Sequence, residues 1–483
     1  MSQDKPNILL VTTDQQRFDT AGPLAPPWMR TPHFDHLCRE GVRFERAYAD
    51  CPICVPARTS IMTGQTVFRH GMSGNSETSK FFGDEGTLPT VMRGLGYQTA
   101  AIGKMHFGPQ RRRHGWEEMI LPEDYYREME RSGNPQQPMR HGLGQNELYP
   151  SMATVPESLT LTSWIAERCV DYIHERRDPS KPFLLWCSFS KPHPPLDPPE
   201  PYYSMYRGCD IPSPIRSPWS EQSCPEAFKR FRESWSLDLI PPQVLAEARA
   251  AYYGLITQCD YNMGRVFAAL QDVGLFQDAL ILYCSDHGEL LGDHKSGSKM
   301  FFHEGSSHVP FAIKPPRSWR EHGLAPGAAT RSLATHADIL PTLCRAAGGA
   351  PPEECDGQDL LAIARSEIEG RKYLEATCNN GQYFAITDGR WKYIFYPEGG
   401  QEQLFDLESD PQEALDLAPS EEHDEQKRAL QGEMVARHQS RSSQAVENGK
   451  LLETPLRHES EAERRARAWP GYHTERHPVD VRH

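Results

Sequence analysis

Asn7-Ile-Leu-Leu-Val-Thr-Thr13, followed at once by Asp14-Gln15-Gln16-Arg17, reads as a buried strand that ends in polar groups. A continuous aliphatic and β-branched run leaves no polar face, so such a strand needs cover on both sides. The pattern recurs. Tyr97 to Ile102 ends in Gly103-Lys104-Met105-His106 and follows a helix-like Leu88 to Leu95. Phe183 to Phe189 delivers Lys191-Pro192-His193 after a helical segment near 160–177, and Ala279 to Cys284 delivers Ser285-Asp286-His287-Gly288-Glu289 after a long helix, roughly 243–273. Helices alternating with apolar strands predict an α/β fold: a large, mostly parallel sheet flanked by helices, with ligands gathering outside the carboxyl ends of its strands. Asp14, Lys104, His193 and Asp286 would then converge on one edge of the sheet.

The rest of the chain sets the frame. Its 483 residues, 38% of them hydrophobic, suffice for one large domain and a smaller companion. A net charge of −14 excludes a general nucleic-acid binder and adhesion to an acidic membrane, so any anion site must be local. No apolar run approaches the ~18 to 20 residues of a membrane span. Twelve dispersed cysteines, and a polar start before Asn7 with no room for a signal peptide, point to the cytoplasm. From about 366, short runs at Lys372 to Ala376, Tyr383 to Thr387, Trp391 to Tyr396 and Leu404 to Leu407 predict a small antiparallel sheet. The expected division is therefore a catalytic α/β domain, 1–365, and a C-terminal domain, 366–483, of sheet, charged helix and extended tail.

Cys51-Pro-Ile-Cys-Val-Pro-Ala-Arg-Thr-Ser-Ile-Met-Thr-Gly64 carries the chemistry. Pro56 suits the first turn of a helix, which places Cys54 where unpaired N–H groups and the positive dipole end favour an anion. Three readings of Cys54 compete: a C-x-x-C redox or zinc pair with Cys51, which lacks a second pair; an inert buried thiol; and a nucleophile facing an anionic substrate. Asp14, Gln15, Asp286 and His287 form an oxygen-rich set with one imidazole, suited to a hard divalent cation such as Ca²⁺ or Mg²⁺, with Mn²⁺ admitted by the histidine.

Cys-Val-Pro-Ala-Arg followed by Thr63-Gly64 resembles the signature of the sulfatase family, C-x-P-[S/A]-R-x-x-x-[L/M]-T-G, at every defined position. The resemblance extends through Asp14-Gln15, Lys104-x-His106, His193, Asp286-His287-Gly288, Gly292-Asp293-His294 and Lys299 over nearly the whole chain. It implies that a maturation enzyme oxidises Cys54 to formylglycine. It further implies that Asp14, Gln15, Asp286 and His287, with an oxygen of the modified Cys54, hold Ca²⁺. The hydrated aldehyde would attack sulfur, expel the alcohol and leave a covalent sulfate, which its second hydroxyl releases. In that scheme His106 is the base, His193 with Lys299 binds sulfate and protonates the leaving group, and Arg58 and Lys104 hold the nucleophile's oxygens. Many family members have a second Asp in place of Gln15 and Asn in place of His287, so this site is less negative.

The implied activity is hydrolysis of a small sulfate monoester, whether sugar, aryl or choline. The alternative is a phosphonate monoester or phosphodiester hydrolase on the same fold, which resembles this pattern but carries neutral hydroxyl-bearing residues at the Lys104 and His106 positions. A noncatalytic binding protein would be expected to lose the nucleophile or a metal carboxylate, and none is missing here. Four stretches have a plainer reading beside the functional one. Asp293 and His294 either contact substrate or order a glycine-rich loop, and stay outside the catalytic set. Asn75 either makes a turn or faces substrate. Arg111-Arg112-Arg113-His114 is a solvated basic loop or a clamp for a second anionic group. The tail beyond about 445, with Trp469 and Tyr472, is disordered or packs on a neighbouring subunit, in a homo-oligomer, or over the pocket rim.

Overall fold

The computed structural model describes residues 5–75, 83–134 and 136–466. Eight strands form the main sheet: β1 (Ile8–Asp14), β2 (Val42–Tyr48), β3 (Gln98–Gly103), β4 (Glu118–Ile120), β5 (Phe183–Pro192), β6 (Leu280–Ser285), β7 (Phe311–Lys314) and β8 (Ala328–Thr335). They lie in the order β4-β3-β5-β1-β6-β7-β2-β8. Each pair is parallel except the two that β7 makes with β6 and β2. The expected α/β architecture is the one observed.

Both faces of the sheet are covered, as the unbroken apolar strands require. Helices α1 (Pro32–Glu40), α2 (Cys54–Thr63), α3 (Leu88–Gly94), α4 (Leu161–Asp171), α5 (Pro242–Asp272) and α6 (Ile339–Ala346) flank it. Ile8, Leu10, Trp186 and Leu282 pack with Ile61, Met92 and Leu340 of α2, α3 and α6. Leu9, Val11, Leu185 and Ile281 pack with Leu37, Ile165 and Met263 of α1, α4 and α5. Alternate residues of one strand thus serve opposite cores, each fully buried aliphatic side chain contributing about 1.5–3 kcal/mol.

Register aligns the carboxyl ends. Asp14 lies beside Pro192 of β5, Thr13 beside Ser285 of β6, and Gly103 beside Ser188. At Gly103 φ is +102°, and a Cβ would stand 1.9 Å from the Ser188 carbonyl oxygen, so glycine alone lets β3 turn out toward Lys104.

A second, antiparallel sheet follows, with β9 (Leu374–Cys378), β10 (Tyr383–Thr387), β11 (Trp391–Tyr396) and β12 (Gln401–Asp406) in sequential order. Helix α7 (Asp424–Ser440) packs on it through Leu430 and Met434. Lys392 of β11 is fully buried and crosses to the first sheet's loops, donating to the Phe302 carbonyl at 2.8 Å and pairing with Glu304 at 2.6 Å and Glu413 at 2.7 Å. The last described stretch of the tail folds back onto its own chain. Arg464 pairs with the buried Glu233, and Arg465 with Asp238 at 2.8 Å. Trp469 and Tyr472 lie outside the described residues. No helix among the described residues is long and apolar enough to cross a membrane.

Candidate active site

Cys54 opens α2, with its side chain buried at the sheet's carboxyl edge. Helix α2 is buried almost all round, and Gly64 closes it in the left-handed conformation at φ +67°. Asn75 accepts a hydrogen bond from the Val55 N–H at 3.2 Å, so it serves the first turn of this helix.

Around the Cys54 thiol, His287 Nε2 stands at 3.2 Å, Lys104 Nζ at 3.7 Å and Asp14 Oδ1 at 3.8 Å. Burial and Asp14 push the thiol's pKa up. Lys104, Lys299 and His287 outweigh them and hold it well below the usual thiol range. Asp14 pairs with Lys104 at 2.5 Å and with Arg58 at 3.3 Å. Burial opposes its ionisation, yet Lys104, His193 and Arg58 keep its carboxyl well below the usual range. Asp286 is pushed up to about 6 by burial and by Asp14, while Arg58 Nε donates to its Oδ2 at 3.0 Å.

Arg58 spends its remaining donor on the Lys104 carbonyl and Ser188 Oγ. Its guanidinium therefore reaches the two carboxylates from behind and orients them beside residue 54. The string Ala57-Arg58 fixes only its helix position; the carboxylates that claim it come from strands far away in sequence.

Gln15 is bonded at both ends of its side chain. It sits at φ +70°, with its backbone N–H on Asp286 Oδ1 at 3.0 Å. Its side-chain oxygen accepts from Lys299 Nζ at 2.5 Å, and its amide nitrogen donates to Glu289. The oxygen assigned to a metal is thus engaged by a buried lysine that needs an acceptor. Glu289 was not singled out by the sequence. It is buried, and its other oxygen accepts from the Leu291 N–H at 2.9 Å and from the Ser298 N–H. Its position two residues past His287 was the available signal.

The histidines divide by environment. The His193 Nδ1–H donates to the Pro194 carbonyl at 2.8 Å, so Nε2 accepts from Lys299 at 3.0 Å. Burial, with Lys299 and Lys104 beside it, holds His193 well below the usual imidazole range, hence neutral. Burial likewise lowers His106, which lies beside the Cys54 thiol, while its Nδ1 is buried with no hydrogen-bond partner among the described residues. His287 Nδ1 is held by the Gly288 carbonyl at 3.0 Å, turning Nε2 into the cluster.

Asp14, Cys54, Asp286 and His287 place one ligand atom each within 4.8 Å of one another. Two carboxylates and an imidazole aimed at a common point, with Arg58 and Gly288 fixing their outer atoms, fit a divalent cation. The other stretches stay outside. Asp293 accepts from Arg17 at 2.6 Å and from the Ile215 N–H at 2.9 Å, and His294 contacts Ser217 at 2.9 Å, both ordering the loop. Arg111 pairs with Asp124 at 2.6 Å, Arg112 with Asp84 at 3.5 Å, and Arg113 with the Glu117 carbonyl at 2.6 Å. A cavity of about 110 Å³ does adjoin the site, lined in part by Lys104, His193, Tyr125, Tyr126 and Met139, and the three arginines take no part in it.

Comparison with known proteins bears on what this geometry does. Residues 6–350 match the family model described as Sulfatase, and residues 292–440 match one described as N-sulphoglucosamine sulphohydrolase, C-terminal. An arylsulfatase of Clostridium perfringens (strain 13 / Type A) is 32% identical over 475 residues, covering 93% of this chain and 97% of that protein. A choline-sulfatase of Rhizobium meliloti (strain 1021) is 30% identical over 86% of this chain and 83% of its own. Among solved structures, the phosphonate monoester hydrolase of Agrobacterium radiobacter superposes with a TM-score of 0.75 at 26% identity, covering 90% of this chain and 96% of that one. With the signature segment, the buried carboxylates and the flanking cations drawn together on this sheet, the chain belongs to the sulfatase family, within the alkaline-phosphatase-like superfamily, and is a sulfuric ester hydrolase.

Proposed function

We propose that the protein hydrolyses the sulfate monoester of a small alcohol, using Cys54 matured to formylglycine beside a hard divalent cation, Ca²⁺ first and Mg²⁺ or Mn²⁺ as alternatives. What carries the proposal is Lys104 and His106 standing together at the Cys54 thiol. Hydrated formylglycine would supply one hydroxyl to attack sulfur and a second to release sulfate, and Asp14, Asp286 and His287 would hold a cation able to polarise the sulfuryl oxygens.

The chain's own groups do the rest. Lys104, 3.7 Å from the thiol and paired with Asp14, offsets anionic charge where substrate meets residue 54. Neutral His106 has the protonation state of a base and takes the proton of the second hydroxyl. On the opposite side, Lys299 donates to neutral His193, and that pair delivers a proton to the departing alcohol oxygen. Arg58 keeps both carboxylates oriented.

The adjoining cavity favours a compact, uncharged alcohol. Its volume, about 110 Å³, is of the order that accommodates a single ring, since an apolar cavity of about 150 Å³ holds benzene. Its ionic residues are already matched, Lys191 with Asp197 at 2.5 Å and Lys104 with Asp14 at 2.5 Å. Among the described residues that leaves no spare carboxylate for choline and no spare cation for a polysulfated sugar. None of the twelve cysteines is joined in a disulfide, which suits a reducing cytoplasm with access to a formylglycine-generating enzyme. Self-association into a homo-oligomer is compatible with this assignment.

The phosphonate and phosphodiester reading is the rival, since the phosphonate monoester hydrolase shares the fold. The decisive comparison is kcat/KM for an aryl sulfate against the matching aryl phosphonate monoester. A phosphonate preference of 100-fold or more, about 2.7 kcal/mol of barrier difference, would reverse the assignment. Mass spectrometry of the peptide bearing residue 54 tests maturation, and unmodified cysteine in fully active enzyme would sink it.

A further inference from the structure

We propose that the unmodified chain, with Cys54 still a thiol, is a zinc-type site: Asp14, Cys54, Asp286 and His287 bind a thiophilic, four-coordinate dication, and maturation of Cys54 exchanges that preference for a hard cation. From the proposed function this takes only that Cys54 exists in two chemical states.

The four donors converge on one point at spacings near those of a four-coordinate shell. Zinc at 2.0–2.3 Å from its ligands requires ligand-to-ligand edges of about 3.3–3.7 Å. Cys54 Sγ lies 3.2 Å from His287 Nε2 and 3.8 Å from Asp14 Oδ1. His287 Nε2 lies 3.7 Å from Asp286 Oδ1 and 4.0 Å from Asp14 Oδ1. All the ligand atoms lie within 4.8 Å of one another, so the donors need only draw inward to enclose one ion.

Each donor is aimed by a partner behind it. His287 Nδ1 is committed to Gly288, Asp14 Oδ2 to Lys104 and Arg58, and Asp286 Oδ2 to Arg58. Fixed outer atoms of this kind orient metal ligands. All four residues are buried, so the shell is closed and leaves no open position for substrate.

Donor chemistry selects the ion. A thiolate and an imidazole with two carboxylates suit zinc or cobalt, whereas calcium seeks six to eight oxygens and gains little from sulfur. The four donors bind in their deprotonated forms, as metal ligands must. Once sulfur gives way to the oxygens of formylglycine, the set becomes oxygen-rich. Among the described residues no other grouping of three or more such side chains is assembled, so the remaining thiols offer no competing site.

The test compares the unmodified chain, made without a maturation system, with the formylglycine form and with Cys54→Ser. Titration with Co²⁺ should give the unmodified chain one equivalent of metal and an intense near-ultraviolet thiolate charge-transfer band, displaced by Zn²⁺. The formylglycine form, whose turnover reports its folding, and Cys54→Ser should lack the band and bind Zn²⁺ at least about 100-fold more weakly. A band that persists in Cys54→Ser, or an unmodified chain that takes up no cobalt, overturns the proposal. Neither result touches turnover of an aryl sulfate by the formylglycine form. Absence of that turnover beside a clear thiolate band counts against the proposed function and leaves the zinc site standing.

Discussion

His106 and Glu289 show how differently two buried side chains support one centre. The first stands at the nucleophile with a free ring nitrogen, so His106→Ala should leave the attack on sulfur and stall the release of sulfate. Rapid-quench kinetics should show a burst of about one alcohol per enzyme, followed by arrest. Steady turnover without a burst would remove His106 from the second step. Glu289 touches no reacting atom but holds the amide of Gln15, whose backbone braces Asp286. Glu289→Ala should weaken Ca²⁺ by about 10–100-fold, with Glu289→Gln recovering part of the loss, as calorimetric titration can measure. Asp14, Lys104, His193 and Asp286 were legible in the sequence because each directly follows an apolar run. The role of Glu289 was not, because it depends on a glutamine that lies far away in the chain.

Strand ends carry the geometry, and Gly103 is where that is most exposed. A Cβ there would meet the Ser188 carbonyl, so Gly103→Ala must shift either β5 or the exit toward Lys104. Displacing a catalytic group by about 1 Å costs on the order of 100-fold in rate, so kcat/KM should fall by that amount. Unchanged kcat/KM would show that the loop absorbs the shift. The main-sheet strands read from sequence, β1, β3, β5 and β6 among them, were those buried on both faces. Strand β2 escaped because Arg43, Glu45 and Arg46 interrupt its apolar run, and their partly buried side chains alternate with Phe44 and Ala47 in the core. Strand β8 at the sheet edge begins with exposed and half-buried residues and resembles a loop until Leu333. Edge strands need fewer apolar residues, so the pattern that reveals the centre of a sheet hides its margin.

Stability of the whole molecule depends on pH through buried neutral histidines as well as carboxylates. Burial, helped by Arg17 and Lys392 against Asp293, holds His294 down at about 4. The unfolded chain, with an ordinary imidazole near pH 6.5, binds more protons than the folded one between those values. His294 therefore leaves stability intact above about pH 6.5 and removes up to about 3 kcal/mol as pH falls toward 4. Urea unfolding at pH 7.5 and 5 should show a steep loss in the parent and a shallower one in His294→Gln; equal slopes would clear His294. The Lys392 ion cluster is a second global support. Lys392→Met leaves Glu304 and Glu413 buried without their cation and should cost about 3–5 kcal/mol, measurable by the same unfolding. A loss under about 1 kcal/mol would show the carboxylates sharing a proton unaided. Lys392 also grips the Phe302 carbonyl, three residues along the chain from Lys299. Lys299 is thus tethered to β11, so the two lobes form one unit of inheritance: a chimera that borrows its second sheet from a relative also borrows the placement of the proposed proton donor.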